Sequence, residues 1–181
     1  IVKMQIVDKI ISNFINNKSL YIGEKVTMSE HMIQTAMLAE KAKCSDDLIC
    51  SSLLHDYGHF ILENPDELVK LNVDGQHENI GYEYLKNFFK KEILEPIKYH
   101  VLAKRYLANN KKYFDLLSEA SKTSLKLQGG ALNSKECNKF EAQKYFKPSI
   151  LLRKFDEAAK RTDLQMKSIH DYKKLLTSKL I

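Results

Sequence analysis

Apolar residues recur every three or four positions along most of the chain, the period of helices with one buried face. From Met4 to Ile15, the residues Ile6, Val7, Ile10, Ile11, Phe14 and Ile15 share one side, with charges and amides opposite. That spacing predicts an amphipathic helix. After the turn-like Asn16-Asn17-Lys18-Ser19, Thr27 stands three residues before Glu30, a capping box that opens a helix near Met28. Ser45 followed by Asp46 and Asp47 starts another, because a hydroxyl cap and early carboxylates answer the unpaired amides of a helix N-terminus. It is expected to run through Leu53 and Leu54 into His55-Asp56, with Gly58 weakening or ending it. Turn-rich residues at Asn64-Pro65-Asp66 and from Asn72 to Gly75 precede a helical pattern from His77 to Phe89. The next helix, Glu92 to Leu107, holds Pro96 in its first turn or at a kink. Residues 109–124 predict short helices and loops, and Gly129-Gly130 is the strongest break. Ser134 with Glu136 suggests a short helix, and Pro148 precedes one running through Arg153, Asp156 and Lys160. The tail, 163–180, is amphipathic with lysines outward. No period-two run is long enough for a strand, so the fold class is all-α, without repeats or low-complexity segments.

Composition narrows this picture. With 181 residues and no transmembrane run, the chain is expected to form a single domain over 1–181, with flanking helices at 4–16 and 163–180. The charge of +6 comes from 29 basic against 23 acidic residues scattered along the chain. It suits an anionic small molecule and argues little for nucleic acid or a membrane. Cys44, Cys50 and Cys137 are odd in number and contain no C-x-x-C pair, which indicates reduced thiols in a cytoplasmic protein. No secretory pattern opens the chain, and Met4 is a candidate natural start.

Five of the six histidines, His31, His55, His59, His77 and His100, fall on or beside successive predicted helices. Facing helices of a bundle are where such proteins build metal sites. Taken singly, each histidine is more readily a hydrogen-bonded or solvated side chain. The run from Ser51 to His59 changes the balance: small and apolar residues lead straight into a His-Asp pair that is costly to bury without a partner. A metal cluster supplies one. His55 can ligate one cation while Asp56, with its two oxygens, bridges a pair.

His31, then His55-Asp56, then a distant aspartate resembles the HD superfamily of metal-dependent enzymes, helical bundles around one or two metals. Further motifs are Tyr21-x-x-Glu24, His77-Glu78-x-x-Gly81, His100-x-x-x-Lys104-Arg105-Tyr106, Leu127-Gln128-Gly129-Gly130 and Leu152-Arg153-x-Phe155-Asp156-x-Ala158-Ala159-Lys160. Together, over residues 21–160, they resemble the HD-domain oxygenases that cleave 2-amino-1-hydroxyethylphosphonate, relatives of myo-inositol oxygenase. The resemblance implies a dinuclear, mixed-valent Fe(II)/Fe(III) site: His31, His55 and Asp156 on one iron, His77 and His100 on the other, Asp56 bridging. Imidazoles and carboxylates without thiolate suit iron, manganese or zinc, so ligand type alone does not choose iron.

By the same resemblance, the phosphonate and C1 hydroxyl of the substrate chelate the first iron, O₂ is co-substrate at the second, and carbon–phosphorus cleavage gives phosphate and an amino acid. Glycine is the expected product from the unmethylated substrate. Tyr21 matches a gate that covers the first iron until substrate arrives. Glu24 matches the acid that meets the substrate amine, whether free or methylated. Lys104, Arg153 and His59 are expected on the phosphonate, and Ser121, Ser124 and Gln128 match a pocket-lining stretch. The expected partner is thus a small organophosphonate, handled by a monomer or small homo-oligomer. An HD phosphohydrolase acting on a nucleotide or phosphate ester needs the same ligands and is the main alternative. A metal-stabilised module that senses a phosphorylated ligand is a third reading.

Overall fold

A computed structural model describes residues 2–21, 23–62 and 76–181, and the side chains of 2–4 are left aside. The turn-rich stretch at Asn64-Pro65-Asp66 and from Asn72 to Gly75 lies outside the described residues. Among those described there are helices and two isolated bridges, Leu20 with Thr27 and Phe89 with Leu180, but no strand. None of these helices is long and apolar enough to cross a membrane.

The first helix, α1 (Val2–Asn16), buries Ile6, Val7, Ile10, Ile11 and Phe14. Each such side chain contributes about 1.5–3 kcal/mol through burial. Ile15, expected in the same stripe, is exposed. In α2 (Met28–Lys41) the Thr27–Glu30 capping box forms as read from the sequence. Helix α3 (Asp46–Leu54) is capped by the Ser45 side chain on the Leu48 amide. It stops at Leu54, four residues before Gly58, and Gly58 opens the short α4 (Gly58–Ile61) instead of ending a helix.

The glycine is there for closeness. A Cβ at Gly58 would lie 1.9 Å from the carbonyl oxygen of His77, the first residue of α5 (His77–Leu85). Gly81 keeps the other side of this crossing thin: its Cβ would meet the Gly58 amide at 3.1 Å. These two residues let α4 and α5 touch through their backbones and bring His77 toward Asp56. The helix expected to reach Phe89 ends at Leu85, and Phe89 pairs with Leu180.

Helix α6 (Lys91–Leu107) carries Pro96 beyond its first turn and packs along α3 and α5. The short α7 (Lys111–Leu116) and α8 (Glu119–Leu127) follow, and Gly129 and Gly130 end α8 with positive φ of 100° and 72°. Left-handed backbone of this kind favours glycine. In α9 (Ser134–Glu141) the cap is Asn133 and not Ser134, with Glu136 closing the box. Helix α10 (Phe146–Ala158) takes Pro148 into its first turn, lies against α6 and α2, and ends before Lys160.

The tail departs most from expectation. Residues 159–168 are not helical, and only Ile169–Tyr172, a 3₁₀ turn, and α11 (Lys173–Ser178) follow. Gln34 explains part of this: its side chain donates to the Arg161 carbonyl at 2.7 Å and accepts from the Arg161 amide at 3.0 Å. A buried amide side chain on α2 thereby takes hydrogen bonds that a continued helix would have made internally.

Candidate metal centre

Four imidazoles and two carboxylates meet where α2, α3, α5, α6 and α10 converge. His31 comes from α2, His55 and Asp56 from the turn after α3, His77 from the start of α5, His100 from mid-α6 and Asp156 from the last turn of α10. All six are buried. The Nε2 atoms of His31 and His55 stand 3.2 Å apart, and those of His77 and His100 stand 3.1 Å apart. Between the pairs lies Asp56. Its Oδ2 is 3.4 Å from His31 Nε2 and 3.3 Å from His55 Nε2, while its Oδ1 is 3.0 Å from His77 Nε2 and 3.4 Å from His100 Nε2. Asp156 Oδ1 closes the first pair, 3.3 Å from His31 Nε2.

Backbone carbonyls set the tautomers. His31 Nδ1 is 2.9 Å from the Ala159 oxygen, His55 Nδ1 is 2.9 Å from Ser52 and His100 Nδ1 is 2.6 Å from Ile97. A carbonyl only accepts, so in the neutral rings Nδ1 holds the proton and Nε2 presents a lone pair to the interior. These lone pairs face one another and two carboxylates. Asp56 Oδ2 and Asp156 Oδ1 are buried without a hydrogen bond. Such an array is repulsive until positive charge enters, and burying it otherwise costs several kcal/mol.

The acidities point the same way. Burial would lift both carboxyls, yet His55 and His77 around Asp56, and Arg153 beside Asp156, hold them well below the usual carboxylate range. Burial also opposes a proton on His31, but Asp156 and Asp56 outweigh it and carry His31 up to about 9. The carboxylates therefore draw a cation strongly. The donor set fits divalent or trivalent metal: the triads His31, His55, Asp156 and His55, Asp56, His100 each gather ligand atoms within 4.8 Å of one another. A third triad, Asp56, His59, His77, meets the same limit. His59, the second residue of α4, stacks on His77 at 4.1 Å, and its buried Nδ1 has no hydrogen-bond partner. Burial, and then His77, push His59 down to about 3, so it offers a neutral nitrogen and not a charge.

Beside the metal ligands lies a cavity of about 240 Å³. Tyr21, Glu24, His59, Lys104, Ser121, Ser124, Gln128 and Arg153, all named from the sequence, line it. Tyr21 stacks on the His31 ring at 4.0 Å and 7°. Burial, then Asp156, raise its phenol well above the usual value, which keeps it protonated. Lys104 donates to Ser124 Oγ at 2.6 Å and to Gln128 Oε1 at 3.0 Å. Burial, and then Arg153, push its ammonium down to about 7.

Arg153 is held on three sides. Nη1 donates to Asp156 Oδ2 at 2.5 Å, Nη2 donates to Glu157 and Nε donates to the Tyr113 hydroxyl at 2.8 Å. Sequence reasoning assigned no part to Glu157, Lys160 or Tyr113. Glu157 lies four residues past Arg153, an offset that pairs charges on a helix, so its contact could have been read. Tyr113 is forty positions away in the chain and left no signal.

Comparison with known proteins gives the family. Residues 28–133 match the HD domain family. The chain is similar to the [1-hydroxy-2-(trimethylamino)ethyl]phosphonate dioxygenase (glycine-betaine-forming) of Leisingera caerulea, 45% identical over 146 residues that cover 80% of this chain and 74% of that protein. It is similar to the hydroxymethylphosphonate dioxygenase of Gimesia maris, 40% identical over 154 residues, with 84% of this chain and 77% of that protein covered. An uncharacterized protein, L432, of Acanthamoeba polyphaga mimivirus is 38% identical over 160 residues, covering 86% and 73%.

Proposed function

This chain belongs to the HD-domain family of phosphonate dioxygenases, and from that premise we propose that it uses two iron ions and O₂ to break the carbon–phosphorus bond of a 1-hydroxyalkylphosphonate. The leading substrate is 2-amino-1-hydroxyethylphosphonate, converted with one O₂ to glycine and phosphate. That balance is complete: C1 is oxidised to the carboxylate carbon, its hydrogen and phosphorus substituents are lost, and dioxygen supplies both added oxygens. In this reading His31, His55 and Asp156 hold one iron, His77 and His100 the other, and Asp56 spans them. The irons supply the redox capacity and the Lewis acidity that activate O₂ and the hydroxyl, which the side chains alone cannot provide.

The chain's own groups bind and orient. Lys104 and Arg153 meet the phosphonate oxygens, Lys104 as a compact charge and Arg153 through the N–H groups it has left beside Asp156. Neutral His59 adds a hydrogen bond. Ser121, Ser124 and Gln128 support this wall, two of them through Lys104. Glu24, which also lines the cavity, receives the amine. Protonated Tyr21, flat against His31, covers the first iron site until substrate displaces it.

The observation that carries the reading is the pair of inward-facing imidazole couples bridged by one buried aspartate beside a cavity that holds Lys104 and Arg153. The test is phosphate release from 2-amino-1-hydroxyethylphosphonate and its trimethylammonio analogue by iron-loaded protein, with and without air. Release that needs O₂ is expected. Release of phosphate from a phosphate ester without O₂, with none from either phosphonate, would move the protein to the phosphohydrolases.

A further inference from the structure

We propose that Lys160 sets how much charge this chain requires on the tail of its substrate, by balancing Glu24 so that an uncharged tail is accepted beside a cationic one. The inference rests on the phosphonate reading above and concerns the substituent on C1.

Lys160 lies two residues past the end of α10, and its side chain is largely buried. Its ammonium is 3.2 Å from Glu24 Oε1, 3.0 Å from Glu157 Oε1, 3.0 Å from Ser121 Oγ and 3.2 Å from Ser118 Oγ. Glu24 and Ser121 line the cavity and Lys160 does not. It therefore acts through them, as a positioning residue. Apart from the metal ligands, the charges gathered here are Glu24 and Glu157 against Lys104, Arg153 and Lys160, and Lys104 turns to Ser124 and Gln128. Arg153 is tied to Asp156 and Glu157, which leaves Lys160 as the cation beside Glu24.

The consequence is electrostatic. Glu24 Oε1 is buried and makes no hydrogen bond, so its pairing with Lys160 is through proximity and not through a directed bond. An ammonium tail entering the cavity has to share a carboxylate that is already balanced, and gains less than it would from a lone one. An uncharged tail leaves that balance intact. Without Lys160, Glu24 would be a buried carboxylate that only a cationic tail could satisfy, and the tolerance would become a requirement.

The test uses iron-loaded wild type, Lys160→Met, Lys160→Gln and Lys160→Arg. For each, kcat/KM for phosphate release and the anaerobic dissociation constant are measured with hydroxymethylphosphonate and with 2-amino-1-hydroxyethylphosphonate. Wild type is expected to turn over both, and Lys160→Met to shift the ratio at least about tenfold toward the amine. Lys160→Arg, which keeps the charge, is expected to restore the wild-type ratio. A general structural defect would lower both substrates together, so the ratio isolates the proposed role. Should Lys160→Met fail to fold, Lys160→Gln, which retains polar contact with the serines, is expected to show the same shift. A ratio unchanged within about threefold in a folded, iron-replete neutral variant overturns the proposal, as does a wild type that rejects the uncharged substrate while cleaving the amine. If wild type releases phosphate from neither, the phosphonate reading fails and this inference falls with it.

Discussion

The Nε2 atoms of His31 and His55 point at each other across 3.2 Å while the Nδ1 atom of each ring lies 2.9 Å from a backbone carbonyl. Without metal, a proton on His31, favoured by Asp156 and Asp56, has to stand between the two nitrogens, and bound metal replaces it as the counter-charge, so metal binding and folding are coupled. Metal in hundredfold excess over its dissociation constant adds about 2.7 kcal/mol of stability. Thermal unfolding of metal-loaded protein is therefore expected about 5 °C or more above that of chelator-treated protein. Coincident melting curves would count against a metal centre.

Asp56 and Asp156 are expected to differ on removal. The two oxygens of Asp56 face both histidine pairs, whereas Asp156 Oδ1 faces His31 and His55. Asp56→Ala should lose both metals and Asp156→Ala chiefly one. Metal content per chain, measured by elemental analysis after gel filtration, decides this. Two metals retained by Asp56→Ala would contradict the bridging role.

The two cavity cations are expected to separate in the same way. Lys104 touches Ser124 and Gln128, so Lys104→Ala should leave metal in place and weaken phosphonate binding at least about tenfold. Arg153 clamps Asp156, so Arg153→Ala should weaken phosphonate binding and also loosen the metal beside His31. Calorimetry with the phosphonate and a metal-competition titration read the two effects separately.

Lys104 also makes binding depend on pH. Burial, and then Arg153, bring its ammonium down to about 7, so in the free protein it is charged below that pH and neutral above it. Where the phosphonate is already fully ionised, its dissociation constant should rise with pH by up to about tenfold per unit. Lys104→Arg, whose guanidinium keeps its charge, should flatten the rise. An equally steep curve in that variant would remove Lys104 from the effect.

Gly58→Ala should be severe for a small change. The added carbon would overlap the His77 carbonyl oxygen, a backbone atom that cannot rotate away. Overpacking of this kind costs about 1–3 kcal/mol or more, and displacing His77 should lower metal content too. Gly130→Ala has open space around its Cβ and only an unfavourable φ, so about 1–2 kcal/mol is expected. Denaturant unfolding of both variants compares them.

Most helix starts were legible because capping is local: Thr27 with Glu30 and Ser45 with Leu48 use side chains and amides within three residues of each other. Helix ends were less so. The sequence after Ala158 reads as well for a helix as for what forms, and a side chain from α2, Gln34, takes the Arg161 backbone instead. Gly58 looked like a terminator because glycine disfavours helix interiors, whereas its purpose is the contact with His77, which no local pattern records.

For the candidate site, the family resemblance carried by the motifs supplied the four histidines, two aspartates and eight further residues, and the structure gathers the six ligands together and lines one cavity with the other eight. The sequence alone determined the all-helical class through its period. Only the tertiary structure decided which oxygen of Asp56 faces which histidine pair, that Arg153 is tied to Asp156 and Tyr113, and that Lys160 sits against Glu24. Those are distances between atoms far apart in the chain, and they depend on how helices cross, which local spacing does not encode.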